Sequence, residues 1–372
     1  MRVLLALDKF KGSLASKAAA DAVMRGLKSA RFSAEFEICP IADGGEGFTE
    51  AILTALGGRW REVMAHDAQD RGLIARYGMI ERGGHTEAVI EMSAASGLAL
   101  VTDRPLDPLR ASTRGTGDLM LDALQHGAQR ILLGIGGSAT HDGGCGMAVA
   151  MGHRFLDANG NEVTELPAAL ERVARIEPAP SRACVVTVAS DVTNPLLGEH
   201  GATRVYGGQK GVTDFAFFEA RLQRLADMVK RDLGCDYREV PGAGAAGGLG
   251  FGLMSFCGAK LQSGFDLVAE VTGLRKRIEH ADLIITGEGR LDAQTLHGKG
   301  PAGVAEMARA LGKPVVGIGG TVESREALLK NFDAIWEVRP PEMPLATAMA
   351  HAADLLENCA ARNAGTLERM AR

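Results

Sequence analysis

The chain has 372 residues, enough for two domains of ordinary size. Apolar residues make up 46% and charged residues 23%, as in a globular protein, and the net charge of -5 argues against the basic surface that nucleic-acid binding requires. Glycine is the unusual component, because 48 glycines are about 13% of the chain against an average near 7%. The glycines cluster after apolar runs, which indicates tight loops lined by backbone.

The cysteines and the apolar runs exclude further classes of protein. The six cysteines include no Cys-x-x-Cys pair and lie among apolar residues, so we expect reduced core residues instead of zinc ligands or disulfides. The apolar run 3–7 stops at Asp8 and Lys9 and is too short for a signal peptide. No stretch approaches ~18 uncharged apolar residues. We therefore predict a cytoplasmic protein without nucleic-acid or membrane partners.

Strands and helices alternate at both ends of the chain. In the first seventy residues, apolar runs predict strands and helical periodicity predicts helices, with Ser16 as an N-cap, in the order strand 3–7, helix 17–27, strand 36–41 and helix 46–56. The last hundred residues repeat the pattern. Their predicted strands are 283–286, 315–318 and 334–338, and their predicted helices are 301–311, 324–329 and 345–362.

The middle of the chain has a different pattern. A strand pair is predicted at 73–80 and 87–92, joined by a turn at Gly83 and Gly84, and further strands are predicted at 131–135 and 185–189. Because parallel strands need a helical crossover, the alternating ends predict an α/β fold. We expect two domains: a discontinuous Rossmann-like doubly wound domain of residues 1–70 and 275–372, and an inserted mixed α/β domain of residues 71–274. A head-to-tail division near residue 150 is the less favoured alternative.

Four apolar runs end in loops that combine glycine with an acid or a lysine. They are ALDKFKGS at 6–13, PIADGGEG at 40–47, VASDVTNP at 188–195 and ITGEGRLD at 285–292. An ordinary turn explains any one of them, since glycine permits positive φ and Asp caps helices. Ligands of open α/β sheets bind beyond the carboxyl ends of the strands, so four such loops together favour a binding site.

Two further loops consist almost entirely of glycine and small residues. GIGGSATHDGG at 134–144 follows a strand, and PGAGAAGGLGFG at 241–252 precedes a helix. Backbone N–H groups in such loops attract phosphate, although close helix packing explains the second loop equally well. Carboxylates, cations and N–H groups are what phosphoryl transfer from a magnesium nucleotide requires. The chain nevertheless lacks the GxxxxGK[ST] P-loop and the protein-kinase signatures.

Seven segments, in order along the chain, carry a family resemblance. DKFKGSL, ADGGEGF, STRGTGDL, GIGGSATHDGG, DVTNPLLG, PGAGAAGGLG and TGEGRLDAQTLHGKGP resemble the signature segments of the bacterial glycerate kinase family, from Asp8 to Val304. His141 and Lys9 are mild departures from that pattern. The resemblance implies ATP- and Mg²⁺-dependent phosphorylation of D-glycerate to 2-phosphoglycerate, with 3-phosphoglycerate as the alternative product. It also implies an active site in the cleft between two α/β domains.

The resemblance and the chemistry together suggest roles for individual residues. Ionised carboxylates coordinate Mg²⁺ or activate the hydroxyl group, and the candidates are Asp191 and Asp292, with Asp43 and Glu288 as second choices. Glu288 is also a candidate for substrate binding. A histidine base, His141 or His297, is less favoured, because kinases need no strong base.

The cations and the glycine-rich loop are expected to bind the anionic groups of the substrates. Lys11 and Lys299 would neutralise phosphate charge, and Arg290 or Arg114 would bind the glycerate carboxylate in bidentate fashion. The backbone of the 134–144 loop would hold phosphate through Gly136, Gly137 and Ser138.

Two other functions stay open from the sequence. The first is an NAD-dependent hydroxy-acid dehydrogenase that uses the glycine loops for pyrophosphate, although no acid partner is well placed for dinucleotide binding. The second is a non-catalytic sensor of sugar acids. The oligomeric state, monomer or homodimer, also stays open.

Overall fold

A computed structural model of the chain describes residues 1–180, 183–293, 295 and 300–370, apart from the side chain of residue 368. The strands are β1 Arg2–Leu7, β2 Glu35–Ile38, β3 Arg59–His66, β4 Gly72–Arg82, β5 His85–Glu91, β6 Arg130–Gly134, β7 Arg154–Leu156, β8 Arg175–Glu177, β9 Val185–Ala189, β10 Lys260–Gln262, β11 Leu283–Leu291, β12 Val315–Val322 and β13 Ala334–Glu337.

The helices alternate with these strands. They are α1 Ser16–Ser29, α2 Phe48–Leu56, α3 Ser93–Ser96, α4 Arg114–Gln125, α5 Cys145–Ala150, α6 Ala202–Tyr206, α7 Phe215–Leu233, α8 Ala245–Cys257, α9 Gly264–Thr272, α10 Leu274–His280, α11 Pro301–Ala310, α12 Arg325–Leu328, α13 Leu345–Ala350 and α14 Ala352–Met370. Short 3₁₀ helices lie at Leu98–Val101, Leu170–Arg172 and Gly208–Lys210. Within the described residues, no helix is long and apolar enough to cross a membrane.

The chain divides into two compact units. The first unit comprises Met1–Asp43, Glu50–Gly57 and Phe265–Arg372, and the second comprises Gly44–Thr49 and Gly58–Gly264. These bounds differ from the predicted boundaries near residues 70 and 275. The reason at the first boundary is that β3 pairs with β4 of the second unit. At the other boundary, Phe265 and Leu274 are buried in a core of the first unit.

The first unit contains a five-stranded parallel sheet in the order β13-β12-β11-β1-β2. Successive residues of β1 point to opposite faces, so Val3, Leu5 and Leu7 pack with α1 and α14. Leu4 and Ala6 pack with α10 and α11 on the other face. Helices therefore cover both faces. Counted along the chain the strand order is 2-1-3-4-5, which reverses direction between β1 and β11 and opens a crevice beyond their carboxyl ends.

The second unit contains a mixed six-stranded sheet in the order β10-β9-β6-β5-β4-β3. The strands β10, β9, β6 and β5 are parallel, whereas β5, β4 and β3 are antiparallel. Gly83 and Gly84 both have positive φ, of 58° and 77°, and form the predicted turn between β4 and β5. One large apolar cluster surrounds this sheet. The α/β class predicted from the sequence is confirmed.

Several predicted elements have different ends from those expected, and two of these differences bear on the site or the fold. The strand 283–286 continues to Leu291, because its partner β12 stays paired with it up to the pair Leu291 and Val322. Glu288 and Arg290 therefore lie within a strand and not in a loop. The helix 345–362 is two helices, α13 and α14, which separate at His351.

Candidate active site

The carboxyl edge of the first sheet collects acidic side chains from adjacent strands. Asp8 follows β1 directly, and its N–H donates to the carbonyl oxygen of Gly287 at 2.8 Å. This bond extends the register in which Leu7 is opposite Gly287, so Asp8 is opposite Glu288 of β11. Both carboxylates consequently lie at the crevice between β1 and β11, where the strand order reverses.

Thr295 links the two acids of the β11 region. Its Oγ1 donates to Oε1 of Glu288 at 3.1 Å and accepts from the N–H of Asp292 at 3.1 Å. The N–H of Thr295 donates to Oδ1 of Asp292 at 3.3 Å. On the outer side, Nε of Arg290 lies 2.9 Å from Oδ2 of Asp292, and its Nη2 lies 2.9 Å from Oε2 of Glu323. Arg290 is 59% exposed, so its guanidinium can exchange these partners for a ligand carboxylate.

Burial makes two of these carboxylates weak acids. Burial chiefly raises the pKa of Asp8 to about 6, and the charge of Lys9 opposes part of that rise. The pKa of Glu288 is raised to about 7, first by burial and second by the negative charge of Asp8. Asp43 lies nearby and forms an ion pair with Nζ of Lys9 at 3.1 Å. The edge thus holds a carboxyl group that exchanges its proton near neutral pH.

Of the two lysines expected to neutralise phosphate charge, the structure describes only Lys11. Lys11 is exposed on the segment after β1, and this segment passes close to β11, since a Cβ built at Gly289 would lie 3.4 Å from the Lys11 nitrogen. Lys299 and His297 lie outside the described residues. The role of Lys11 stays a prediction.

The remaining predicted site residues belong to the second unit. Asp191 follows β9, is exposed, and its Oδ1 accepts from the N–H of Gly264 at 3.1 Å. Arg114 begins α4, and its guanidinium lies 2.8 Å from Oδ1 of Asp70 at an exposed position. Ser138 is 8% exposed and Gly137 has a positive φ of 76°.

Glycine at 136 has a packing reason that the sequence did not reveal. A Cβ built at Gly136 would lie 2.7 Å from Cα of Gly45, and the N–H of Gly136 donates to the Gly44 carbonyl at 3.2 Å. The loops PIADGGEG and GIGGSATHDGG are therefore packed backbone to backbone at this point. Phosphate binding by Gly136, Gly137 and Ser138 stays a prediction.

Packing also explains the glycines of the 241–252 loop. A Cβ would lie 2.2 Å from the Pro195 oxygen at Gly244, 2.1 Å from the Thr140 oxygen at Gly247 and 2.5 Å from the Gly143 oxygen at Gly252. Each of these contacts excludes any side chain. The structure favours the packing interpretation for this loop.

The polar residues at the end of the 134–144 loop are structural. The buried carboxylate of Asp142 accepts from the N–H groups of Thr113, Gly144 and Gly146, and so fixes the start of α5. His141 is buried, and its pKa is lowered to about 3, chiefly by burial, which keeps the ring neutral. Nζ of the buried Lys210 donates to the Thr140 carbonyl at 2.8 Å.

Sequence reasoning missed three residues of the acidic edge. Asp8 and Lys9 stand directly after a buried strand, a position that could have singled them out, but neither was assigned a role. Thr295 gave no signal, because only the fold of the segment after β11 brings its hydroxyl group to Glu288.

Comparison with known proteins agrees with the resemblance seen in the sequence. Residues 3–368 match the family model described as the glycerate kinase family. A glycerate kinase of Bacillus subtilis is 42% identical over 97% of this chain and 96% of its own length, and a glycerate 2-kinase of Escherichia coli is 41% identical over 91% and 90%.

A solved structure extends this similarity to the fold. The crystal structure of a Salmonella typhimurium LT2 chain, provisionally assigned as a glycerate kinase 2, superposes with a TM-score of 0.88 at 40% identity and covers 99% of this chain and 98% of that one. Because the similarity to glycerate kinases extends over nearly the full length of the chains, the kinase interpretation replaces both the dehydrogenase and the sensor interpretations. The chain belongs to the glycerate kinase family and is a kinase that phosphorylates glycerate.

Proposed function

We propose that the chain transfers the terminal phosphoryl group of ATP to the 2-hydroxyl group of D-glycerate, giving ADP and 2-phosphoglycerate. The name of the E. coli relative, glycerate 2-kinase, supports the choice of product. The observation that carries the proposal is Glu288, a mostly buried carboxyl group with a pKa of about 7, bridged to Asp292 through Thr295. Such a group accepts a proton at neutral pH, whereas an ordinary glutamate is a weaker base.

The transfer then proceeds by a balanced exchange of bonds. The glycerate oxygen bonds to the γ-phosphorus while the bond from that phosphorus to the ADP oxygen breaks, and ADP leaves with the electron pair. The hydroxyl proton passes to the carboxylate of Glu288. Of the roles expected for Glu288 from the sequence, this assignment selects activation of the hydroxyl group over substrate binding.

The acidic residues also fit the magnesium ion that accompanies ATP. Mg²⁺ prefers oxygen ligands and commonly binds through one or two carboxylates together with phosphates and water. Asp292, with a side chain 15% exposed, and Asp191 remain the carboxylates that would bind the ion in this proposal. The described part of the chain contains no group of three or more His, Cys, Asp or Glu side chains that could hold a metal ion. Bound Mg²⁺ would neutralise charge on the transferred phosphoryl group.

The predicted cations keep their roles within this proposal, whereas Asp43, a second choice for Mg²⁺ binding or hydroxyl activation, takes a different one. Arg290, with Arg114 as the alternative, binds the glycerate carboxylate, and Lys11 and Lys299 offset phosphate charge. Asp43 orients Lys9 through their ion pair. Cytoplasmic location and a monomeric or homodimeric state stay predictions.

Product analysis tests the proposal. The protein is incubated with ATP, MgCl₂ and D-glycerate, and the products are identified by phosphorus NMR, with L-glycerate and a reaction without Mg²⁺ as controls. We expect ADP and 2-phosphoglycerate from the D-isomer only. Formation of 3-phosphoglycerate would contradict the proposed regiochemistry, and turnover without any divalent cation would contradict the role of Mg²⁺.

A further inference from the structure

Asp8 is the most buried carboxylate of the acidic edge, and no role has been assigned to it. It is 8% exposed and lies opposite Glu288 across the β1–β11 ladder. Residues at matching positions of adjacent parallel strands point to the same face, so the two carboxyl groups share one side of the crevice. Burial and the nearby like charge both disfavour the ionised form of these two acids.

The contacts of Asp8 compensate its charge only in part. Its Oδ1 accepts from the N–H of Lys9 at 2.6 Å, whereas Nζ of Lys9 bonds to Asp43 at 3.1 Å. Among the residues that the structure describes, no side chain donates a hydrogen bond to the Asp8 carboxylate. A Cβ built at Gly300 would lie 3.6 Å from Oδ2, so the backbone of Gly300 lies close to this carboxylate.

The negative charge of Asp8 raises the pKa of Glu288. After burial, the charge of Asp8 is the largest cause that raises the pKa of Glu288, ahead of Asp292 and Asp43, while the hydrogen bond from Thr295 lowers it. Lys9 acts in the opposite direction, because its charge lowers the pKa of Asp8. Two carboxyl groups coupled in this way titrate as a pair.

We propose that Asp8 is a positioning residue for phosphoryl transfer: its negative charge, balanced by Lys9, makes Glu288 a competent acceptor for the hydroxyl proton of glycerate. This inference rests on the proposed kinase reaction and on Glu288 as its base. During transfer the hydroxyl proton moves to Glu288 while ADP leaves with the electron pair of the broken phosphorus–oxygen bond. The proton passes to solvent after the products dissociate.

Two variants that remove charges of opposite sign test the inference. The pH dependence of kcat is measured at saturating MgATP and D-glycerate for the wild type, Asp8→Asn and Lys9→Met, with Glu342→Gln as a control at an exposed position of the same unit. In the wild type kcat rises with pH as the carboxyl pair loses its proton, near neutral pH. Asp8→Asn should move this rise to lower pH by roughly one unit, the usual effect of one nearby charge. Lys9→Met should move it to higher pH.

The separate effects on kcat and KM also distinguish a positioning role of Asp8 from a structural defect. Above the pH of the rise, Asp8→Asn should have a several-fold lower kcat with little change in KM, because the remaining base is weaker. A pH dependence that coincides with the wild type in both Asp8→Asn and Lys9→Met would overturn the inference. If Asp8→Asn folds poorly, the shift of the Lys9→Met profile decides the question alone.

A measurement without turnover separates this inference from the kinase proposal. Carbon NMR of protein labelled at glutamate side-chain carboxyls gives the pKa of Glu288 directly, and Glu288→Gln identifies its signal. We expect the Glu288 signal to have a raised pKa that is lowered in Asp8→Asn and unchanged in Glu342→Gln. An unshifted signal in Asp8→Asn refutes the role of Asp8 even if the enzyme makes 2-phosphoglycerate. Absence of any phosphoryl transfer by the wild type refutes the kinase proposal instead.

Discussion

Replacing Glu288 with glutamine should stabilise the first unit at alkaline pH while it removes activity. The folded protein raises the pKa of this carboxyl from 4.5 to about 7, so folding disfavours its ionised form. At pH values below the unfolded pKa the group is protonated in both states and causes no loss of stability. As the pH rises through the folded pKa, the unfolded state releases its proton more readily and the stability falls.

The size of the effect follows from the two pKa values. A difference of about 2.5 units corresponds to roughly 3 kcal/mol, reached only when the pH lies above both values. At pH 5 most of this loss has not yet occurred, whereas at pH 8 it is nearly complete. Glutamine keeps an oxygen that can accept the hydrogen bond from Thr295 and carries no charge. We therefore expect Glu288→Gln to exceed the wild type in stability by about 3 kcal/mol at pH 8 and by about 1 kcal/mol at pH 5.

The assay uses a tryptophan of the same sheet. The chain has two tryptophans. Trp336 on β13 is 5% exposed, and Trp60 lies in the second unit. In a Trp60→Phe background, urea unfolding followed by fluorescence therefore reports the first unit. The stability of Glu342→Gln is measured at the same pH values as a control for the titration of groups other than Glu288. An equal gain in stability at pH 5 and pH 8 would refute the reasoning, because an uncharged packing effect does not depend on pH.

The remaining predictions concern substrate contacts and packing. Asp292→Asn should lower kcat by orders of magnitude without unfolding the protein, and near-normal turnover would remove this carboxylate from the mechanism. Arg290→Ala should raise the KM for glycerate by roughly tenfold or more, as expected for a lost bidentate contact; an unchanged KM would move the clamp to another residue. Gly26→Ala should lower the unfolding free energy by roughly 1–3 kcal/mol, because its Cβ would lie 2.0 Å from the Glu357 oxygen between α1 and α14. Gly365→Ala, with nothing within 4 Å of the added atom, should raise it by roughly 0.5–1 kcal/mol, and equal melting temperatures for the two variants would contradict this account.

Local sequence patterns were sufficient for most of the secondary structure. The buried strands at 3–7, 131–135 and 185–189 are present within one residue of their predicted ends, because short apolar runs between turn residues leave few alternatives. The strand β3 was not predicted, since most of its positions are exposed or half-buried and it contains charged residues. Its place is decided by pairing with β4, which is not encoded in its own pattern.

The family and its reaction were accessible from the sequence alone, since seven ordered motifs identify them without any coordinates. The chemistry of individual residues was not. Glu288 was a second choice for activating the hydroxyl group, and it became the first choice only because β11 extends past its predicted end and carries this side chain alongside Asp8. A pKa near 7 depends on burial and on charges from Asp8, Asp43 and Asp292, which are far apart in the chain. Residue types and spacing therefore specify which reaction the protein performs, whereas the folded sheet decides which carboxylate can exchange a proton, because desolvation and charge coupling exist only after folding.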